Sequence, residues 1–162
     1  MAAVSRRLVI DASVASAAGL TTKPTSRRCR EFLQAVPAIS HRVTMTRVLR
    51  EEWDRHQSQF AKAWLAEMTS KAKVQDVADV RNEQLRAEAP NTPSAQKDLH
   101  LIEAALATDR IVISLDNRAR TELAVHTAAE VMWVNPVDEG GHVIYWLNKG
   151  AEPVDEWKLG QH

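Results

Sequence analysis

The sequence has one cysteine, no net charge and no long apolar run. The lone Cys29 excludes an intramolecular disulfide, and the repeated Cys/His spacing of a structural zinc site is missing. No stretch approaches the roughly 18 apolar residues of a membrane helix. Asp11 interrupts the apolar N-terminal stretch, which disfavours a signal peptide. We therefore expect a cytoplasmic protein with no membrane association.

The composition is that of an ordinary globular protein, with 44% hydrophobic and 26% charged residues. A length of 162 residues favours a single domain, which we place at 1–150, followed by a C-terminal tail at 151–162. Charge is uneven: residues 1–60 hold 10 Lys and Arg against 5 Asp and Glu, whereas residues 61–162 hold 11 against 16. The basic half could approach phosphates, although solvated helix faces would give the same pattern.

Short β-branched stretches alternate with helical ones along the chain. Strands are predicted at 8–15, 41–45, 111–116 and 130–136. Helices are predicted at 26–36, 46–56, 59–73, 77–89, 94–109, 118–128 and 140–150, with 46–56 and 59–73 forming one long helix or two. Thr92 and Pro93 suit the N-cap and first position of the helix that follows them. This alternation predicts an α/β fold, a three-layer α/β/α sandwich around a mostly parallel sheet.

Two carboxylates directly follow the apolar runs of two predicted strands. Asp11 comes after "LVI" and Asp116 after "IVISL". Ligands of such sheets bind beyond the carboxyl ends of the strands. Both acids are therefore expected at the ligand-binding edge.

Two further carboxylates fall on the apolar faces of predicted helices. Helical periodicity of 100° per residue places Glu52 in the sector that faces the sheet, while its neighbour Glu51 points away. The same test places Glu103 towards solvent and puts Asp98 on a buried stripe with Leu101, Ile102 and Ala105. A buried carboxylate is normally protonated, paired or bound to a metal. Each acid taken alone could instead cap a helix or pair with an arginine.

Four acids at one end of a sheet would repel one another unless positive charge lay among them. A divalent cation is the simplest source of that charge. Oxygen ligands without a suitably spaced His or Cys favour Mg²⁺ or Mn²⁺ over zinc. Ser13 and Ser114, each two residues from a site aspartate, could bind a carboxylate or a water on the metal.

The segments "LVIDASV" with Asp11, "VLREEW" with Glu52, "DLHLIEAAL" with Asp98 and "ISLDNRAR" with Asp116 resemble the spaced acids of PIN-domain ribonucleases. The resemblance extends from about Leu8 to Pro136. It implies a PIN-like fold and a metal-dependent endoribonuclease that cleaves single-stranded RNA, with the four acids as catalytic and metal-binding residues. It also implies a homodimer, and many small bacterial members resemble VapC toxins of toxin-antitoxin pairs, which bind an antitoxin protein.

Three residues after the last acid are candidates for supporting roles. Asn117 could approach the site from the loop, although a turn role is equally compatible with its position. Arg118 and Arg120 could hold an RNA phosphate, or lie on a solvated helix start. One metal with Asp98 as general base, or two metals, would serve the chemistry equally well.

Two other classes of function stay open. A phosphatase of the haloacid dehalogenase kind also begins with a strand that ends in Asp, but it needs a second acid where this chain has Ser13. A non-catalytic module on the same fold could bind RNA or protein without cleaving. Metal-dependent cleavage would separate the nuclease from this module, and hydrolysis of phosphomonoesters would identify the phosphatase.

Overall fold

The computed structural model describes residues 5–139 and 141–161. The strands within these ranges are β1 (Arg7–Ile10), β2 (Arg42–Met45), β3 (Val74–Asp76), β4 (Ile111–Ile113) and β5 (Met132–Val134). The helices are α1 (Ala12–Ala17), α2 (Pro24–Ala38), α3 (Arg47–His56), α4 (Gln59–Ser70), α5 (Glu83–Glu88), α6 (Pro93–Leu106), α7 (Asn117–Glu122) and α8 (Gly141–Asn148). Short 3-10 turns lie at His126–Ala128, Asp155–Trp157 and Leu159–Gln161.

The strands form one sheet in the order β3-β2-β1-β4-β5, and every pair in it is parallel. The protein is thus a three-layer α/β/α sandwich, which confirms the predicted fold class. Strands β4 and β5 and the last three residues of β1 are apolar and buried, as expected for a sheet covered on both faces.

The order of the strands places a switch point between β1 and β4. The chain runs from β1 to β2 and β3 in one direction, and from β4 to β5 in the other. Right-handed crossovers therefore send α1 to α4 to one face and α5 to α7 to the other. Helix α2 contacts α1, α4 and α8, whereas α6 packs on β1, β4 and α7. The crevice where the two sets of helices part is the usual ligand site of an open α/β sheet.

The first strand is shorter than predicted. It ends at Ile10, and α1 begins at Ala12, so the expectation of a strand through Ala15 was wrong. Asp11 lies between them in an extended conformation, and its carbonyl accepts the first bond of α1 from the amide of Val14 (3.0 Å). The alternating small residues of this segment suit a buried helix as well as a strand.

The middle of the chain also differs from the prediction. The predicted helix over 77–89 is confined to Glu83–Glu88, and the three-residue strand β3 just before it was missed. Strand β3 lies at the edge of the sheet and its sequence is "VQD", which lacks an apolar run. Edge strands are commonly short and polar, so hydrophobic patterning does not reveal them. The stretch 46–73 forms two helices, and Thr92 and Pro93 begin α6 as predicted.

Tryptophan side chains tie the helices to the sheet. The indole of Trp53 on α3 is fully buried and donates a hydrogen bond to the carbonyl of Ile10 (2.8 Å). Its ring stacks on that of Trp64 on α4, with centroids 5.9 Å apart. Burying a large apolar side chain is worth roughly 1.5–3 kcal/mol. Trp53 thereby holds α3 against the end of β1.

The C-terminal segment packs against the sheet. Leu159 is buried and its amide bonds to the carbonyl of Val131 (2.9 Å), while the ring of Trp157 meets that of Trp146 edge-on at 5.1 Å. The buried His41 directly precedes β2, also at the amino ends of the strands, and bonds through Nε2 to the carbonyl of Leu147 (2.9 Å). Among the described residues, no helix is long and apolar enough to cross a membrane.

Candidate metal centre

Asp11 lies at the carboxyl end of β1, beside the end of β4. Its amide donates to the carbonyl of Ile113 (2.8 Å), which continues the ladder between the two strands by one residue. Its side chain is buried. Ser114, the residue after β4, therefore lies directly beside it.

Two serine hydroxyls orient the Asp11 carboxylate. Ser13 and Ser114 donate to the same oxygen, Oδ2, at 2.7 and 2.9 Å. Each hydroxyl also accepts a backbone amide of the following loop, from Leu115 to Ser13 (3.2 Å) and from Asp116 to Ser114 (3.1 Å). The network ties the ends of both strands to one carboxylate and leaves its Oδ1 outside the serine contacts.

Asp116 has two separate partners. Its Oδ1 accepts the amide of Ala119 (2.9 Å), which makes it the N-cap of α7. Its Oδ2 accepts from the ammonium of Lys97 at 2.9 Å. Partial burial raises the pKa of Asp116, but these two donors outweigh it and hold the pKa below its ordinary value.

Asp98 is the most deeply buried acid of the group, with 3% of its surface exposed. In the part of the chain that the structure describes, its Oδ2 has no hydrogen-bond partner. The ammonium of Lys97 lies 3.6 Å from that oxygen. Burial and the negative charge of Asp11 raise the pKa of Asp98 to about 7, although Lys97 partly opposes them. The negative charge of ionised Asp98 is therefore only weakly compensated by its surroundings.

Glu52 lies at the rim, half-buried on α3 and facing inward as the helical periodicity predicts. Its Oε1 is 2.9 Å from Nε2 of His100, a distance typical of an ion pair when the imidazole is protonated. The contact lacks the angles of a hydrogen bond, and both atoms are otherwise without such a partner among the described residues. Partial burial raises the pKa of Glu52, but the contact with His100 and the positive charges of Arg55 and Lys97 outweigh it and lower the pKa overall.

These side chains surround an open cavity of about 300 Å³. It is lined by Asp11, Ala12, Ser13, Ser16, Glu52, His56, Lys97 and Asp98. Asp116 lies beside it and contacts it through Lys97. Three of the four acids predicted from the sequence therefore share one cavity, and the fourth is joined to them by an ammonium group.

The donor set suits a hard divalent cation, because carboxylate oxygens are the ligands that Mg²⁺ and Mn²⁺ prefer. The partnerless Oδ2 of Asp98 also fits a missing positive ligand. Within residues 5–139 and 141–161, however, no three His, Cys, Asp or Glu side chains are gathered closely enough to hold a metal ion. The ammonium of Lys97 lies between Asp98 and Asp116 instead.

The three residues predicted to support the site lie in different surroundings. Asn117 donates to Asp138 (2.6 Å) and accepts from Asn135 (3.1 Å), so it belongs to a loop network outside the acidic cavity. Arg120 is mostly buried and contacts Glu139 at 3.3 Å. Arg118 is 78% exposed and lies with Lys97 in a neighbouring depression. Of the two arginines, Arg118 is the one available to a ligand.

Sequence reasoning missed the cations and misplaced one acid. Lys97 and His100 were not considered, although both stand within two residues of Asp98. Glu103 was expected in solvent, but it is 8% exposed and accepts two bonds from Arg86 of α5 (2.7 and 2.9 Å). A charge-balance argument over the residues nearest Asp98 would have found Lys97.

Comparisons with protein-family models, with curated proteins and with solved structures found no match for this chain.

Proposed function

We propose that the protein is a divalent-cation-dependent endoribonuclease of the PIN type, acting on single-stranded RNA with Mg²⁺ or Mn²⁺. The observation that carries this proposal is the buried, partnerless Oδ2 of Asp98. It belongs to a cluster of carboxylates at the switch point of a parallel sheet. An ionised group in that position is costly unless a cation compensates it.

The cavity around the acids supports a phosphodiester substrate. It is open to solvent along one side, and its lining is mostly polar. A volume of about 300 Å³ suits a nucleotide-sized group better than an entire folded RNA. The positive side chains at its edge, Lys97 and Arg118, are placed where a polyanion would approach.

Each acid has a distinct part in this proposal. Asp11, Asp98 and Asp116 would hold the cation, with Glu52 reaching it from the rim. Ser13 and Ser114 fix the orientation of Asp11 by donating to one of its oxygens. The capping bond to Ala119 fixes the orientation of Asp116 in the same way.

A divalent cation bound here would neutralise charge developing on the phosphate and make a nearby water more acidic. Asp98 would be the acceptor for the proton of the attacking water in a one-cation arrangement in which it is not itself a ligand, because its Oδ2 lies in the cavity without a hydrogen-bond partner among the described residues.

Cleavage of a mixed single-stranded RNA pool tests the proposal. The purified protein is assayed in Mn²⁺, in Mg²⁺ and in EDTA, beside the variants Asp116→Asn and Asp54→Asn. Asparagine is a good N-cap, so Asp116→Asn keeps the start of α7 while it removes a negative ligand. We expect this change to lower the cleavage rate by at least about 100-fold, the upper end of what changes around metal ligands cost.

Asp54 is the matched control, because it is exposed on α3 and outside the cavity. Its variant should cleave at the rate of the parent protein. Cleavage that persists in EDTA, or equal rates for Asp116→Asn and the parent, would contradict the proposal. A lack of cleavage in any metal would leave a non-catalytic binding module as the better description.

The dimer and the antitoxin partner follow from the sequence resemblance alone, and the cytoplasmic location follows from the composition and the N-terminal sequence. A homodimer, an antitoxin partner and a cytoplasmic location remain predictions. A small open reading frame beside the gene would support the antitoxin partner. A dimeric mass in solution would support the homodimer.

A further inference from the structure

The position of Lys97 connects two features of the acidic cavity. Its ammonium bonds to Oδ2 of Asp116 at 2.9 Å and lies 3.6 Å from Oδ2 of Asp98. That Asp98 oxygen is otherwise without a partner among the described residues. The ammonium therefore supplies part of the positive charge that the acids need and lies between two of the expected ligands.

We propose that Lys97 is an exchangeable counter-cation, which holds the acidic site together when no divalent ion is bound and must move away for the ion to bind. This inference rests on the proposed cation-dependent function. It accounts for the finding that no three metal-ligating side chains are gathered closely enough within the described residues.

The side chain of Lys97 has the exposure and the flexibility that this movement requires. It is 56% exposed, whereas the side chain of the adjacent Asp98 is almost wholly buried. Its hydrogen bond is made by the ammonium at the tip, to Asp116. A lysine stem is flexible, so the tip can swing out of the cavity without disturbing the core. It would move towards the depression lined by Pro93, Ser94 and Arg118, whose wall Lys97 already forms.

The charges of the site make Lys97 and a divalent cation compete for the same carboxylates. The site carries three negative charges when Asp11, Asp98 and Asp116 are ionised. The positive charge of Lys97 compensates one of them. A divalent ion placed among the same oxygens would repel an ammonium a few ångströms away. An interaction between charges at such distances changes an affinity by roughly tenfold even when water screens it strongly.

Calorimetric titration of the metal-free protein with MnCl₂ tests this exchange, in the absence of RNA. The variant Lys97→Met keeps most of the apolar stem and removes the charge. We expect it to bind Mn²⁺ roughly tenfold more tightly than the parent protein. In EDTA it should also melt lower, by roughly 2–4 °C, because the acids lose their counter-charge.

Two further variants serve as controls. Lys97→Arg keeps a positive charge at the same place and should bind Mn²⁺ as weakly as the parent. Lys62→Met removes an exposed lysine of α4, outside the cavity, and should change neither affinity nor melting temperature. Circular dichroism confirms that each variant is folded before it is titrated.

The outcomes separate this inference from the proposed function. Tighter binding in Lys97→Met alone supports the exchange. Equal or weaker binding in Lys97→Met, with clear binding by the parent, refutes the exchange and leaves the metal-dependent nuclease in place. If none of the four proteins binds Mn²⁺, both proposals fail together.

Discussion

Replacing Asp98 by Asn should make the protein more stable in EDTA, although it removes a residue of the proposed site. The carboxylate is almost completely buried and its Oδ2 lacks a hydrogen bond within the described chain. Asparagine has nearly the same shape and carries no charge. The substitution also removes the repulsion between the charges of Asp98 and Asp11.

The size of the effect follows from the pKa. Burial first, and then the charge of Asp11, raises the pKa of Asp98 from 3.8 to about 7. Each unit of such a shift corresponds to about 1.4 kcal/mol, so ionised Asp98 costs the fold at most about 4 kcal/mol. Relaxation of the surroundings reduces this cost, and we expect a gain of roughly 2–4 kcal/mol for Asp98→Asn above pH 7.

The dependence on pH has a definite sign. Below about pH 4 the carboxyl group is protonated in the folded and the unfolded chain, and the two proteins should be equally stable. As the pH rises towards 7 the unfolded chain loses the proton first, so the parent protein loses stability relative to Asp98→Asn. Above pH 7 the difference is constant. The gain should therefore develop between about pH 4 and pH 7.

Urea unfolding followed by tryptophan fluorescence measures this difference at a series of pH values, with EDTA present throughout. The exposed Asp54→Asn variant is the control, and its free energy of unfolding should match that of the parent at every pH. A difference between Asp98→Asn and the parent that does not vary with pH would refute the reasoning. So would a less stable variant at pH 8.

Two further predictions concern buried groups outside the cavity. Burial lowers the pKa of His41, whose Nδ1 accepts the amide of Arg6 (3.0 Å), so the stability it contributes is complete above pH 6.5 and is lost as the pH falls below that value. His41→Gln should therefore cost about 1–3 kcal/mol at pH 8 in urea unfolding and flatten the decline below pH 6.5, and an unchanged decline would contradict this. Glu103→Gln breaks the paired bonds from Arg86 and should lower the free energy of unfolding by about 1–3 kcal/mol. Glu83→Gln, which removes an exposed ion pair, should cost less than about 1 kcal/mol, and equal costs for the two variants would contradict the assigned difference in burial.

The parts of the fold that depend on local periodicity could be predicted. Apolar runs with β-branched residues located four of the five strands described, and the 3.6-residue period identified the buried faces of α3 and α6. Glu52 and Asp98 were placed correctly because each lies among apolar neighbours of its own helix. Asp11 and Asp116 could be placed because the parallel topology brings strand ends together.

The features that depend on contacts between different helices and strands could not be predicted from the sequence. Glu103 lies off the apolar stripe of α6, and it is buried because α5 brings Arg86 against it. Strand β3 has no apolar pattern, and only its pairing with β2 makes it a strand. Lys97 stands next to Asp98 in the sequence, but its contact with Asp116 could not be predicted, since Lys97 precedes β4 in the chain and Asp116 follows it.

Helix α6 carries two buried acids five residues apart, and their different environments argue for different roles. Glu103 receives two bonds from Arg86 and one from the amide of Asn82 (2.6 Å), so its charge is satisfied within the fold. Asp98 is more deeply buried, yet among the described residues its Oδ2 has no hydrogen-bond partner, and the ammonium of Lys97 lies 3.6 Å from it. A buried acid that served packing alone would be expected to have partners like those of Glu103, since an unsatisfied one lowers stability. The contrast within one helix therefore favours a ligand for Asp98 that lies outside the chain, and a cation is the ligand whose charge the site lacks.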